Sequence, residues 1–215
     1  MAYSFPLLLI ILFFLVLTGC AHQPAVTHGL IQSQQLVDCG KPLKLVFADD
    51  RDTRFKNEKI IVRTGFPVAS ANMLGDLFYD LPLNAAFEKM VIRRFGSNEN
   101  GFNTEFKLKA FYTSFKLNDF IGVPFLGIFA VGADVEWSGT LRVDVGLLDN
   151  ENKFALNKTY DVSFTEMRPA NEKLDEASLD VLQKLFSKFA RDLESDVSRT
   201  RLPSRGIDGV EAAPR

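Results

Sequence analysis

Thiols and imidazoles, the side chains most readily used as nucleophiles and metal ligands near neutral pH, are few in this chain, and all lie in its N-terminal quarter. The only thiols are Cys20 and Cys39, and the only imidazoles are His22 and His28. A zinc site takes four ligands, chiefly thiolate and imidazole. Nothing near the two histidines supplies further thiolates or spaced carboxylates, so they read as solvated residues and no metal is expected. The most polar tight feature is Asp49-Asp50-Arg51-Asp52. Two carboxylates beside an arginine could hold a cation or position a proton. Adjacent residues of a strand point to opposite faces, however, and Asp at a strand end commonly bonds its own backbone. A capped turn with a salt bridge is the expectation. No nucleophile–base pair or pocketed carboxylate pair stands out, so no catalytic residue and no cofactor are assigned, and the chain is expected not to be an enzyme.

Cys20 has the most specific surroundings. It follows Leu17-Thr18-Gly19 and closes an apolar run from Phe5 to Leu17. A membrane-spanning helix needs about 20 apolar residues; this shorter run fits the apolar core of a secretory signal, with small residues at its cleavage end. Leu17-Thr18-Gly19-Cys20 resembles the lipobox of bacterial lipoproteins. That resemblance implies cleavage before Cys20 and acyl chains on its sulfur and new amino group. Each buried methylene contributes about 0.8 kcal/mol, so several chains anchor almost permanently. Ala21, where an aspartate would retain such a protein in the inner membrane, implies the periplasmic face of the outer membrane.

The formal net charge of -2 leaves no electrostatic footprint for nucleic acid. With Cys20 acylated, Cys39 is the remaining thiol and has no internal disulfide partner; it reads as a small, partly buried apolar residue. Four segments are expected: a signal peptide over 1–19, the lipidated Cys20 with a flexible tether over 20–42, a domain over 43–198, and a disordered tail over 199–215. The tether is polar and aperiodic, including Gln32-Ser33-Gln34-Gln35. If flexible, its 21–42 stretch spans about 25 Å.

Within the domain, Leu43–Ala48 and Ile60–Thr64 read as short strands. A helix is expected from Asp80, as N-cap, through Pro82 in the first turn to Gly96; Leu83, Phe87, Met90 and Val91 form its apolar face. Thr104–Leu117 is expected to be a strand with Phe106, Leu108, Ala110 and Tyr112 on one face. In Asp134–Leu147, Val135, Trp137, Gly139, Leu141, Val143, Val145 and Leu147 alternate strictly with polar residues, as in a sheet covered on one side. Asp149–Asn152 turns into Phe154–Met167, which completes a hairpin. Leu174–Val197 is a long helix with Leu174, Val181, Leu182, Leu185, Phe189 and Leu193 along one stripe. The fold class is α+β: one antiparallel sheet of about four to five strands with two helices packed on one face.

Residues 120–132 depart from this pattern. They hold no charge and no hydroxyl, and Gly122, Pro124, Gly127 and Gly132 oppose a regular helix. Hairpin connections normally take 2–5 residues. Two readings stand: a loop folded into the core, or an exposed apolar tongue whose Ile121, Phe125 and Phe129 contact membrane or partner.

The lipobox, the first strand ending at Asp50-Arg51, the Leu81–Phe95 helix, the Asp134–Leu147 and Phe154–Met167 hairpin and the closing helix together resemble the YajG-type family of small envelope lipoproteins. The resemblance implies location and fold, and no reaction. The functional expectation is a non-enzymatic, periplasm-facing outer-membrane lipoprotein acting as an envelope interaction or assembly module, held to the membrane through Cys20 and bound to an envelope protein partner. The alternative is an accessory subunit for lipid binding or transport that uses the 120–132 loop.

Overall fold

The computed structural model describes residues 24–38, 41–63, 71–116, 134–169 and 171–200. In chain order they form α1 (His28–Gln32), β1 (Leu43–Asp49), α2 (Thr53–Asn57), β2 (Ile60–Arg63), β3 (Ala71–Leu74), a 3₁₀ turn (Asp76–Phe78), α3 (Leu83–Phe95), β4 (Phe102–Lys116), β5 (Asp134–Leu148), β6 (Phe154–Pro169) and α4 (Leu174–Arg199). The fold is α+β, built on one sheet in the order β2-β3-β4-β5-β6. All of these neighbours pair antiparallel. β1 lies off this path and pairs parallel with the first half of β4, Leu43 opposite Phe102 through Asp49 opposite Leu108. A parallel pair needs a crossover connection, and α3 lies within it.

One edge of β4 is thus shared. β1 occupies it as far as Leu108, and β3 takes over at Thr113. Between them β4 bulges: Leu108 pairs with Val143 and Ala110 with Arg142, leaving Lys109 as an extra residue. The bulge resets the alternation of the strand. Phe106 and Leu108 face the core as expected, but beyond the bulge it is Phe111, Thr113 and Phe115 that are buried. Ala110 and Tyr112, expected on the core face, are on the other one, where the Tyr112 ring stacks on Phe55 of α2 at 4.7 Å. β5 keeps its alternation throughout, with Val135, Trp137, Leu141, Val143, Val145 and Leu147 buried.

Helices α3 and α4 cover the apolar face. The Phe87 ring of α3 meets Phe111 of β4 at 5.9 Å and Phe186 and Phe189 of α4 at 6.1 and 5.7 Å. Edge-on aromatic pairs of this kind add about 0.5–1.5 kcal/mol each beyond burial. At Gly139, α4 comes so close to β5 that an added Cβ would lie 2.7 Å from both Leu185 Cδ1 and Val181 Cγ1. The apolar stripe of α4 extends the expected one by Phe186, Ala190 and Val197. Acidic Asp175 and Glu176 in its first turn complement the helix dipole. At its other end the Lys41 ammonium caps the carbonyls of Val197, at 2.6 Å, and Thr200. α3 ends at Gly96, φ 69°, as its position after the periodic residues suggests.

Three further elements differ from expectation. β3 was not foreseen. Asp80 does not cap α3: its Oδ1 accepts from the backbone N and the hydroxyl of Thr27, both at 2.8 Å, while the Leu83 N–H is taken by Asp76 Oδ1 at 3.1 Å. Residues 24–38, expected within a flexible tether, are instead packed on the domain. Ala25 has no exposed surface, Leu30 is buried, and α1 lies against α3 and α4. Gln34 Nε2 bonds Gln183 Oε1 of α4 at 3.0 Å, and Arg93 Nε of α3 bonds the Gln34 carbonyl at 3.0 Å. Two apolar contacts and these side-chain amides hold a segment too polar to show periodicity.

Candidate functional site

The four residues singled out for polar chemistry separate in the structure. β1 ends at Asp49, and Asp50 N donates to the Leu108 carbonyl at 2.9 Å, beside the bulge of β4. The Arg51 side chain then turns into the gap between β1 and β3 and is fully buried. Its Nε and Nη2 donate to the two oxygens of Asp49 at 2.9 and 3.1 Å. Its Nη1 and Nη2 donate to the two oxygens of Asp76 at 2.9 and 2.8 Å. Asp50 faces outward to Lys109 at 2.7 Å, and Asp52 caps α2 through the Arg54 N–H at 2.9 Å.

This geometry decides what the cluster can do. Burial opposes the charge of Arg51, and its bonds to Asp76 and Asp49 outweigh that cost and hold it protonated. Burial likewise opposes the charge of Asp49, but the Arg51 guanidinium, helped by Lys56, holds its carboxyl below the usual range. Each carboxylate is engaged by both oxygens, and Arg51 thereby ties the end of β1 to the 3₁₀ turn. The motif is a turn with a salt bridge, as the spacing suggested, and Asp76 is the partner that the sequence did not disclose. It stands 25 residues from Arg51, next to Gly75, whose added Cβ would lie 2.0 Å from the Glu58 carbonyl oxygen. A lone Asp with no periodic neighbour gives no signal of this role.

Other buried polar groups serve the same end. The Tyr79 hydroxyl bonds Thr113 Oγ1 at 3.2 Å, and burial pushes its ionisation upward. The Tyr160 hydroxyl donates to Asp196 Oδ2 at 2.7 Å; burial first, then the bond to that carboxylate, raises its ionisation too. Among the described residues no buried side-chain N or O lacks a hydrogen-bond partner, and no group of three or more His, Cys, Asp or Glu could hold a metal. His28 opens α1 and is exposed.

The described residues also form surface hollows, among them a small one of about 90 Å³ beside Asp49, between β1 and α3. One of about 660 Å³ lies between the chain at Leu36–Asp38 and the end of α3, reaching Pro42 and Asn98. Another, of about 360 Å³, is a mainly apolar groove between α1 and α4, lined by Val26, Gly29, Leu30, Ser33, Leu179 and Gln183, with Asp180 as its one charged residue. Cys20 and the contact candidates Ile121, Phe125 and Phe129 lie outside the described residues, as do His22, Cys39 and residues 201–215. The ends of the strands that flank 117–133 are described: Lys116 pairs with Glu136, and Asp134 with Pro169. Thr113, which bonds Tyr79, is three residues from that edge of β4. Tyr79 in turn is bridged to Ala25. The strand ends Lys116 and Asp134 therefore lie toward the same end of the strands as Thr113, and through Tyr79 toward Ala25.

No protein-family model and no curated protein matches the chain. Among solved structures it is similar to a crystal structure of a Xanthomonas campestris protein of the DUF330 family model. The identity is 14%, the TM-score 0.42, and the match covers 77% of this chain and 88% of that chain. Among the described residues no helix is long and apolar enough to cross a membrane.

Proposed function

We propose that the chain is a non-enzymatic lipoprotein of the outer membrane, YajG-like in type, which faces the periplasm and serves as an interaction or assembly module for an envelope protein partner. The observation that carries this reading is Leu17-Thr18-Gly19-Cys20 at the end of a short apolar run, just ahead of a folded domain. The use of Arg51 and Asp49 as structural ties, with Asp76, supports the non-enzymatic part, since those two belong to the cluster singled out for acid–base work. Cys20 carries the acyl chains, and the domain presents its surfaces to the partner.

The test is fractionation together with crosslinking in cells. The wild-type chain is expected in the outer-membrane fraction, crosslinked to one recurrent envelope protein. Cys20→Ala should abolish the membrane fractionation. Recovery of the wild-type chain in the soluble fraction, or only as an uncrosslinked monomer, would count against the reading.

A second reading, lipid binding or transport through residues 120–132, is favoured by one observation: the described strand ends Lys116 and Asp134, which bracket that uncharged segment in the sequence, lie toward the same end of the strands as Thr113, the partner of Tyr79. Phe125→Ser combined with Phe129→Ser should abolish liposome binding by the unlipidated domain and leave its thermal unfolding unchanged. Loss of stability instead would assign the segment to the core.

A further inference from the structure

Lipoproteins are usually pictured at the end of a flexible leash. Here the leash is short. Ala25 is held by both of its backbone groups, its N–H to the Phe78 carbonyl and its carbonyl to the Asp80 N–H, each at 3.0 Å. Thr27 is fastened to Asp80 by two more bonds at 2.8 Å. Only four residues lie between Cys20 and Ala25, and the five steps, at about 3.3–3.6 Å each, reach no farther than about 18 Å.

That reach selects one end of the domain. Ala25 is bridged to Tyr79, whose hydroxyl meets Thr113, and Thr113 pairs with Gly139 of β5. Leu148, at the other end of β5, pairs with Phe154. Nine steps of strand run from Gly139 to Leu148, about 30 Å at 3.3 Å per step. The end near Ala25 presents Val26, 60% exposed, and Leu77, 59% exposed, and opens the apolar groove between α1 and α4. Single exposed apolar side chains are ordinary on a protein surface. What distinguishes these two is that Val26 follows Ala25 in the chain and Leu77 precedes Phe78, whose carbonyl Ala25 bonds, and Ala25 is within about 18 Å of chain from the attachment.

We propose that the end of the domain formed by Val26, Leu77 and the α1–α4 groove rests on the phospholipid surface in which Cys20 is anchored. The proposal rests on the reading of Cys20 as lipidated. The occupant of this surface is the bilayer, because the same four residues that tie the domain to the membrane leave no room for a protein layer between them. The opposite end, with the β5–β6 turn, Phe154 and Leu36, points away and is the part of the molecule that a soluble periplasmic partner can reach.

The full-length lipidated protein, with Cys39→Ser to remove the free thiol, is reconstituted in phosphatidylethanolamine–phosphatidylglycerol vesicles carrying a quencher lipid. A thiol-reactive fluorophore is placed by Val26→Cys, Leu77→Cys, Phe154→Cys or Leu36→Cys, all at exposed positions where folding is checked by thermal melting. Labels at 26 and 77 should be quenched at least twofold more than labels at 154 and 36. Equal quenching at the two ends, or stronger quenching at 154, overturns the orientation. Metabolic fatty-acid labelling of the same preparations separates the two levels: unlabelled protein sinks the anchor and the orientation together, whereas labelled protein with equal quenching sinks the orientation alone.

Discussion

Val26 and Phe154 expose the same fraction of their surface, 60% each, yet they stand at opposite ends of the sheet. By exposure alone they would be equivalent, and a search for apolar surface would rank them together. They differ in what holds the chain around them. Next to Val26, Ala25 and Thr27 are inserted between the 3₁₀ turn and Asp80, and Asp76 in that turn is clamped by Arg51. Next to Phe154, the chain turns through Asp149, whose Oδ1 accepts the Glu151 and Lys153 N–H groups at 2.8 and 2.9 Å, with Asn152 at φ 60°. One end is tied to distant parts of the sequence, and the other is a self-contained turn. A surface acquires meaning from its position along the chain as much as from its composition.

The comparison can be broken most severely at Arg51. Arg51→Ala leaves Asp49 and Asp76 facing each other without their cation, and removal of one partner from a buried ion cluster costs about 3–5 kcal/mol. Urea unfolding should report a loss of that size, and hydrogen exchange should show the Ala25–Ile31 segment opening before the β5–β6 turn. A loss under about 1 kcal/mol, the range of an exposed pair, would mean that Arg51 does not tie the two regions together. Arg142→Ala supplies that reference, because its partner Asp161 lies on the open face of the sheet.

A smaller effect is expected from Ala25→Leu. The added side chain has no space beside a residue with no exposed surface, and overpacking costs about 1–3 kcal/mol. The loss should appear as faster amide exchange at Ala25, Ile31 and Asp80, with the exchange of Lys153 and Asp149 unchanged. Uniform acceleration over both ends would show that they are not independent.

Acid should act on both ends alike, because α4 is tied to β6 near each. Toward its start, burial opposes the charge of Asp180, and Lys184 and Arg168 more than offset it, so the carboxyl is held below its usual range. Toward its finish, the bond from Lys158 comes first; burial opposes it, the Tyr160 hydroxyl adds to it, and Asp196 is lowered as well. A carboxyl depressed in the folded state stabilises above its unfolded value, near 3.9, and loses that contribution as pH falls through the folded value. Stability should therefore be level from about pH 7 to 5 and decline below about pH 4. Asp180→Asn and Asp196→Asn should each be weaker than wild type at pH 6 and converge on it in acid. A difference that persists unchanged at pH 2 would assign the effect to lost packing.

How far the sequence disclosed this arrangement depended on whether the deciding contacts were local. β5 and α4 could be read because their periods run unbroken from Val135 to Leu147 and from Val181 to Val197. β4 could be read only to Leu108, since the extra residue Lys109 exchanges the faces without altering the composition of the strand. β3 has four residues, too few for a period to show. The segment at 24–38 reads as a flexible tether in sequence because its hold on the domain comes from Ala25, Leu30 and hydrogen bonds to Gln183 and Arg93, all of them long-range. Arg51 was placed correctly in a salt-bridged turn next to Asp49, while Asp76 depends on a crossing of the chain that no spacing reveals.

The central claim is that Cys20 is an acylated anchor and the first residue of the mature chain. Cells expressing the wild-type chain and Cys20→Ala are grown with a labelled fatty acid, and the N-terminal peptide of each purified protein is weighed. The account predicts a wild-type chain that begins at Cys20 and carries the label, and a variant that carries none. An unlabelled wild-type chain, or one that still begins at Met1, would contradict it.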